Sequence, residues 1–221
     1  MIEEESAFVS VINTVAGIQP ISLFVDTGFQ FRLPYRAAYR NLQLTPVPHS
    51  VIIKDSGRVN TFLSISALAF FKNTTSTIVV YDTLLRVDLT VRAIRLSDDL
   101  TLAPSGSVKV RFIHAAPLTI PVDVTFVRTS VMPYDSVTLS SQPYIGKVNN
   151  VETLSAFTII PIGNYTLKIK SAGTQDTLLN TVKLSVSNLA GSAGISGITT
   201  FYLTGGVRGE GLQVGLFRHY P

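Results

Sequence analysis

The chain has no cysteine, no tryptophan and few charges. Without Cys there can be no disulfide, no thiolate-bound zinc, no iron–sulfur cluster and no thiol nucleophile. Without Cys and Trp together, the Cys–Trp–Cys core of antibody-type sandwiches cannot be built. Charged residues make up 14% of the 221 and hydrophobic ones 46%. Ordinary globular domains carry about 25% charged residues, so this balance excludes both a disordered chain and a charged coiled coil. Net charge is +4, but Lys and Arg are scattered with no basic run. Nucleic acid is therefore not an expected partner. No apolar stretch approaches the ~20 residues of a membrane helix. No basic-then-apolar leader precedes Ala7, so an exported form is expected to have lost its leader. The acidic cluster Glu3-Glu4-Glu5 reads as a solvated end.

What the chain does have is an internal echo. Val9-Ser10-Val11-Ile12-Asn13 alternates apolar and polar residues as Val110-Arg111-Phe112-Ile113-His114 does, 101 positions later. Pro20-Ile21-Ser22-Leu23-Phe24-Val25 meets Pro121-Val122-Asp123-Val124-Thr125-Phe126 at the same offset. Alternation of this kind marks half-buried strands. With gaps, Pro34-Tyr35 resembles Pro143-Tyr144, and Tyr39 with Leu42 resembles Phe157 with Ile160. Val51, Ile53 and Gly57 resemble Leu167, Ile169 and Gly173, and Ile78–Tyr81 resembles Phe201–Thr204. Matches in one order point to duplication.

The Pro/Ser/Gly stretch Leu102–Ser107 marks the seam. The expected domains are 1–104 and 105–221. Expected strands in the first are 7–13, 20–26, 49–55, 60–66, 76–82 and 85–94. In the second they are 108–114, 121–127, 156–160, 165–170, 180–186, 198–204 and 212–217. Breaks fall at turn formers such as Asp26-Thr27-Gly28, Asp55-Ser56-Gly57 and Gly163-Asn164. No long amphipathic helix appears, although a helical turn in 66–72 is compatible with the pattern. The expected fold is all-β: two tandem immunoglobulin-like antiparallel β-sandwich domains of about seven strands each. Cores are expected from Val11, Leu23, Val25, Val51 and Ile53, and from Phe112, Val124, Phe126, Phe157, Leu167, Ile169 and Phe201.

The run Val108-Lys109-Val110-Arg111-Phe112-Ile113-His114-Ala115-Ala116-Pro117, then Val122-Asp123-Val124 and later Phe157–Leu167, resembles a bacterial envelope domain-of-unknown-function family, type four-three-nine-seven. The resemblance covers most of 107–221, and the first copy matches more loosely. It implies tandem immunoglobulin-like domains on exported proteins or lipoproteins. It brings no known activity and no catalytic residues.

Candidate chemistry is sparse. Of the three histidines His49, His114 and His219, His114 ends an expected strand beside Asp123, and a structural hydrogen bond between the two is expected. Gly163 is expected to serve a turn. Sequence spacing does not assemble a triad. Asp98-Asp99 alternate in direction along a strand and chelate one ion poorly. Gly205–Gly211 leads into an alternating strand, so it reads as a hairpin loop and not as a phosphate loop. Gly191–Gly197 reads as a loop. No catalytic residue, metal site or cofactor is expected. The sharpest binding candidate is the basic–aromatic segment Arg32, Tyr35, Arg36, Tyr39 and Arg40, because Tyr and Arg favour contacts and Arg pairs with carboxylates. Two functions follow. The first is a non-catalytic envelope or cell-surface module for adhesion or binding, with an unknown protein or glycan as partner and membrane attachment only through a lipid anchor absent from this chain. The alternative is a carbohydrate-binding accessory protein for glycan uptake.

Overall fold

A computed structural model describes residues 5–16, 20–83, 91–117, 120–185, 197–207 and 209–219. The chain forms two units, Met1–Asp98 and Asp99–Pro221. The first holds β1 (Ala7–Asn13), β2 (Ile21–Val25), β3 (Gly28–Leu33), β4 (Ala38–Leu44), β5 (His49–Lys54), β6 (Thr61–Leu68), β7 (Thr75–Tyr81) and β8 (Arg92–Ser97). They make two four-stranded sheets, ordered β4-β1-β7-β8 and β3-β2-β5-β6. Among the described strands of this unit, β1 and β7 alone pair in parallel.

The second unit holds β9 (Ser107–His114), β10 (Val122–Arg128), β11 (Asp135–Gln142), β12 (Thr158–Pro161), β13 (Asn164–Ser171), β14 (Thr177–Ser185), β15 (Ile198–Thr204) and β16 (Gln213–His219). A short helix, α1 (Val151–Ser155), precedes β12 and is capped by the Asn150 side chain. The sheets are β12-β9-β15-β16 and β11-β10-β13-β14, with β9 and β15 parallel. Counting strands within each unit, the two orders are identical.

Register confirms most of the echo. Val11 faces Ile78 as Phe112 faces Phe201, and Val25 faces Val51 as Phe126 faces Leu167. The proposed match of Tyr39 and Leu42 with Phe157 and Ile160 fails. Ala7 faces Leu44 as Val108 faces Ile160, and a register shift between Val9 and Val11 displaces the rest of β4. Among the described residues each unit has eight strands where about seven were expected. The missed ones, β3, β4 and β11, are edge strands whose largely exposed residues blur the apolar alternation. The last strand of the first unit is Arg92–Ser97, and 85–90 of the expected 85–94 lie outside the described residues. Position 66–72 carries no helix, because β6 runs to Leu68.

Each unit closes its own core between its two sheets. Val9, Val11, Leu23, Val25, Val51, Ile53 and Ile78 fill one. Val110, Phe112, Val124, Phe126, Leu167, Ile169 and Phe201 fill the other. Phe157 is not a core residue. It precedes β12, lies half-buried, and has the Arg111 guanidinium 4.5 Å from its ring centre. At the boundary, Asp98 accepts from the Thr77 hydroxyl of the first unit at 2.7 Å. Asp99 accepts from Lys109 Nζ of the second, also at 2.7 Å. The Lys109 ammonium and the Thr101 donors push the Asp99 carboxyl down to about 2.

In the second unit the Tyr165 hydroxyl donates to the carbonyl of Pro161, four residues back, at 2.7 Å. Tyrosines of this kind pin the corner where a chain crosses between sheets. Tyr165→Phe is expected to cost about 1 kcal/mol, the net worth of one neutral hydrogen bond. An unchanged urea midpoint would show that the corner needs no phenol.

Candidate functional site

Structure divides the basic–aromatic segment into three parts. Arg32 is exposed on β3. Tyr35 lies half-buried with the Arg36 guanidinium 4.6 Å from its ring centre. Tyr39, in β4, stacks on the buried Phe31 of β3 at 3.8 Å between ring centres and 11° between planes. Because β3 and β4 belong to different sheets, that stack closes one open side of the sandwich, and Tyr39 is in large part a packing residue. Arg40 is exposed on β4.

Arg32 instead falls into register with side chains that sequence reading missed. Leu23 and Val25 belong to the core, so alternation turns Ser22 and Phe24 to the opposite face, where Ser22 is covered and Phe24 half-buried. Across the sheet, Arg32 faces Ser22 and Ser22 faces Lys54, while Phe29 faces Phe24 and Phe24 faces Ile52. Phe24 and Phe29 meet edge to face at 5.5 Å. The Arg58 guanidinium lies 3.7 Å from the centre of the Phe29 ring and Lys54 Nζ 5.2 Å from that of Phe24. Phe29 is 40% exposed. Three cations thus surround an aromatic pair on an outer sheet face. The outward Phe24 was readable from alternation. Phe29 was not, because a register shift after Leu23 disturbs its place in β3.

The two carboxylates in the adjoining turns are engaged within the protein. Asp26 accepts from His49 Nδ1 at 2.8 Å and from the Ser50 N–H at 3.0 Å. These bonds hold its carboxyl below the usual range. Asp55 accepts from the Val59 N–H and from the Asn60 amide. Desolvation opposes ionisation there, but the Asn60 and backbone hydrogen bonds outweigh it and lower the carboxyl.

The second unit is an internal control for this face. Phe24 and Phe29 correspond by register to Thr125 and Thr138, whose hydroxyls lie 3.0 Å apart. Ile52 corresponds to Lys168. The same strand order is therefore built without an aromatic pair, so the fold does not require one.

Asp26, His49 and Thr45 line up in the order of a nucleophilic triad, with His49 Nε2 3.1 Å from Thr45 Oγ1. The same nitrogen lies 3.0 Å from the Thr45 carbonyl, four residues back. By register His49 is the counterpart of Tyr165, whose hydroxyl reaches the carbonyl four residues back in the second unit. The imidazole is the first unit's corner lock, which explains the arrangement without chemistry.

The expected His114–Asp123 bond is not formed. His114 Nδ1 accepts from the Ala116 N–H at 3.3 Å and Nε2 donates to the Ile120 carbonyl at 3.1 Å. In the first unit Asn13 accepts from the equivalent N–H, that of Val15, but donates to the Leu33 carbonyl at the end of β3. Asp123 instead accepts from the Ser141 and Gly173 N–H groups, and these bonds lower its carboxyl. Gly163 sits where a Cβ would meet Arg128 Nε and Ser130 Oγ at 2.6 Å, so its role is close packing of the turn. Gly205–Gly211 is the hairpin loop between β15 and β16, with Arg208 outside the described residues. Of the 191–197 loop, 191–196 also lie outside them. Among the described residues, no three His, Cys, Asp or Glu side chains gather as a metal site requires. None of the described helices is long and apolar enough to cross a membrane.

A family model matches residues 7–125, more than half of the chain. The chain belongs to this family, Domain of unknown function (DUF4397). The DUF4397 match takes in every strand of the first unit, then β9 and the start of β10. It holds Phe24, Phe29, Arg32, Lys54 and Arg58, whereas the resemblance read from sequence lay mainly in 107–221. The match gives no ranking of the second copy above the first. No curated protein matches the chain. One solved structure with some likeness is CBMbc (family CBM26) from Eubacterium rectale Amy13K in complex with maltoheptaose. It is 10% identical over 98% of both chains, with a TM-score of 0.28. Another is a leucine-rich repeat protein from Bacteroides thetaiotaomicron, 15% identical over 80% of this chain and 23% of that one, with a TM-score of 0.19. Neither TM-score amounts to a shared fold.

Proposed function

We propose that this DUF4397 chain is a non-catalytic binding module that takes carbohydrate on the outer face of the β3-β2-β5-β6 sheet. One observation carries the reading. An aromatic pair stands on an outer face at positions where the other copy of the same fold has two threonines. A clustered outward aromatic pair that the fold does not need offers a contact surface. Phe rings offer apolar faces to sugar C–H groups, and the flanking cations orient polar substituents. The envelope location implied by the family resemblance is part of the same proposal; fractionation of cells of the source organism is expected to find the protein in the envelope, and recovery in the cytosol would overturn that part.

The double change Phe24→Thr and Phe29→Thr installs the second unit's own pair. On a glycan array followed by calorimetry, affinity for any sugar bound by the intact protein is expected to fall at least about tenfold, the equivalent of 1.4 kcal/mol. The thermal midpoint should hardly move, because threonines already occupy this place in the second unit. Unchanged affinity would remove the face from the reading. The adhesion alternative predicts a protein ligand, and a sugar-independent partner lost in the double variant would favour it.

A further inference from the structure

We propose, building on that reading, that the ligand is an acidic polysaccharide whose carboxylates pair with Arg32, Lys54 and Arg58 while its rings lie on Phe24 and Phe29. Charge complementarity points to an anion. Arg32, Ser22 and Lys54 form one row across the sheet, and Phe29, Phe24 and Ile52 form the adjacent row. Arg58 reaches over Phe29 from the β5–β6 turn and Lys54 over Phe24. The two carboxylates of the adjoining turns, Asp26 and Asp55, already accept hydrogen bonds from His49, Ser50, Val59 and Asn60. A planar guanidinium pairs with a carboxylate through two parallel N–H donors, and a ring beneath it restricts its motion.

A polysaccharide fits this face better than an acidic peptide does. An extended peptide is held by backbone hydrogen bonds at a free sheet edge. The proposed face spans β3, β2 and β5, of which only β3 is an edge. Strand β2 lies between β3 and β5, and β5 lies between β2 and β6, so their backbone groups are spent in the ladders. A ligand lying across β2 and β5 meets side chains alone, and those around it are two aromatic and three cationic. A sugar acid presents both things they bind, an apolar ring face and a carboxylate.

Arg58 has φ +63°, a left-handed conformation in which Asn is better tolerated than most residues. Arg58→Asn therefore removes the guanidinium without adding backbone strain. Binding of the full chain to polygalacturonate oligomers, dextran and polyglutamate should be compared by calorimetry at two salt concentrations. Polygalacturonate is expected to bind, more weakly as salt rises. Arg58→Asn and Lys54→Gln should each weaken it about tenfold, and Phe24→Thr with Phe29→Thr at least as much, with thermal midpoints within a few degrees of the parent. Equal binding of dextran would overturn the choice of an acidic sugar and leave the carbohydrate reading standing. Equal binding of polyglutamate would overturn the choice of a sugar. No binding of polygalacturonate would overturn the proposal, whereas a neutral sugar bound and then lost in the double Thr variant would keep the proposed function alone.

Discussion

Phe126→Ala is expected to destabilise the second unit by about 3–5 kcal/mol, the largest loss from any single truncation considered. Phe126 is fully buried. It meets Phe201 of the opposite sheet edge to face at 5.5 Å and Tyr165 at 6.4 Å. Truncation removes most of the ring and leaves a cavity between two sheets that hydrogen-bonded strands keep from collapsing. At roughly 4 °C per kcal/mol for a unit of this size, the thermal midpoint should fall by about 12–20 °C. Hydrogen exchange at β10, β13 and β15 amides assigns the loss to this unit. Phe126→Leu should recover most of it, since Val25, the first unit's counterpart, fills the same place with a still smaller aliphatic side chain. A loss below about 1 kcal/mol for the alanine variant would mean that the two sheets are not closely packed there.

His114 carries the second-largest effect. His114→Leu removes the bonds that His114 makes with the Ala116 N–H and the Ile120 carbonyl, and losing two buried hydrogen bonds costs roughly 1–3 kcal/mol. His114→Asn should cost less, because Asn13 accepts from the equivalent N–H, that of Val15, at the matching strand end, so only the bond to the Ile120 carbonyl is lost. The two variants also differ from the parent in pH response. Burial lowers the His114 pKa below its ordinary 6.5, and the bond to Ile120 opposes this only in part. The folded state therefore holds neutral imidazole where the unfolded chain is already taking up a proton. Stability is complete above the unfolded pKa and declines as pH falls below about 6.5. The carboxylates with lowered pKa, Asp26, Asp55, Asp99 and Asp123, act near pH 4 and below, outside this window. Urea midpoints between pH 7.5 and 5 should decline less steeply for His114→Asn than for the parent. An identical decline would assign the response to another group.

The duplication, the all-β class and the core positions Val11, Leu23, Val25, Phe112, Val124 and Phe126 were legible in the amino-acid order. Strands buried on one face must alternate, and two copies of one pattern keep one spacing between their cores. The edge strands were not legible. In β11 half of the run Asp135–Gln142 is hydroxyl side chains, and in β4 a positive φ at Asn41 interrupts the pleat. The basic–aromatic segment was legible as composition only. Its members divide between two sheets and the turn that joins them, so Tyr39 became packing for Phe31 while Arg32 joined Phe24, Phe29, Lys54 and Arg58.

Local order along the chain thus determined which residues face inward, because the two-residue period of a strand is a property of neighbours. Strand order decided the rest. A site on a sheet face is assembled from strands distant in sequence, and their hydrogen-bond register, set by bulges and turns, places Arg32 and Lys54 on either side of Ser22. The same register made His49 the counterpart of Tyr165, an equivalence that no likeness of side chain announces.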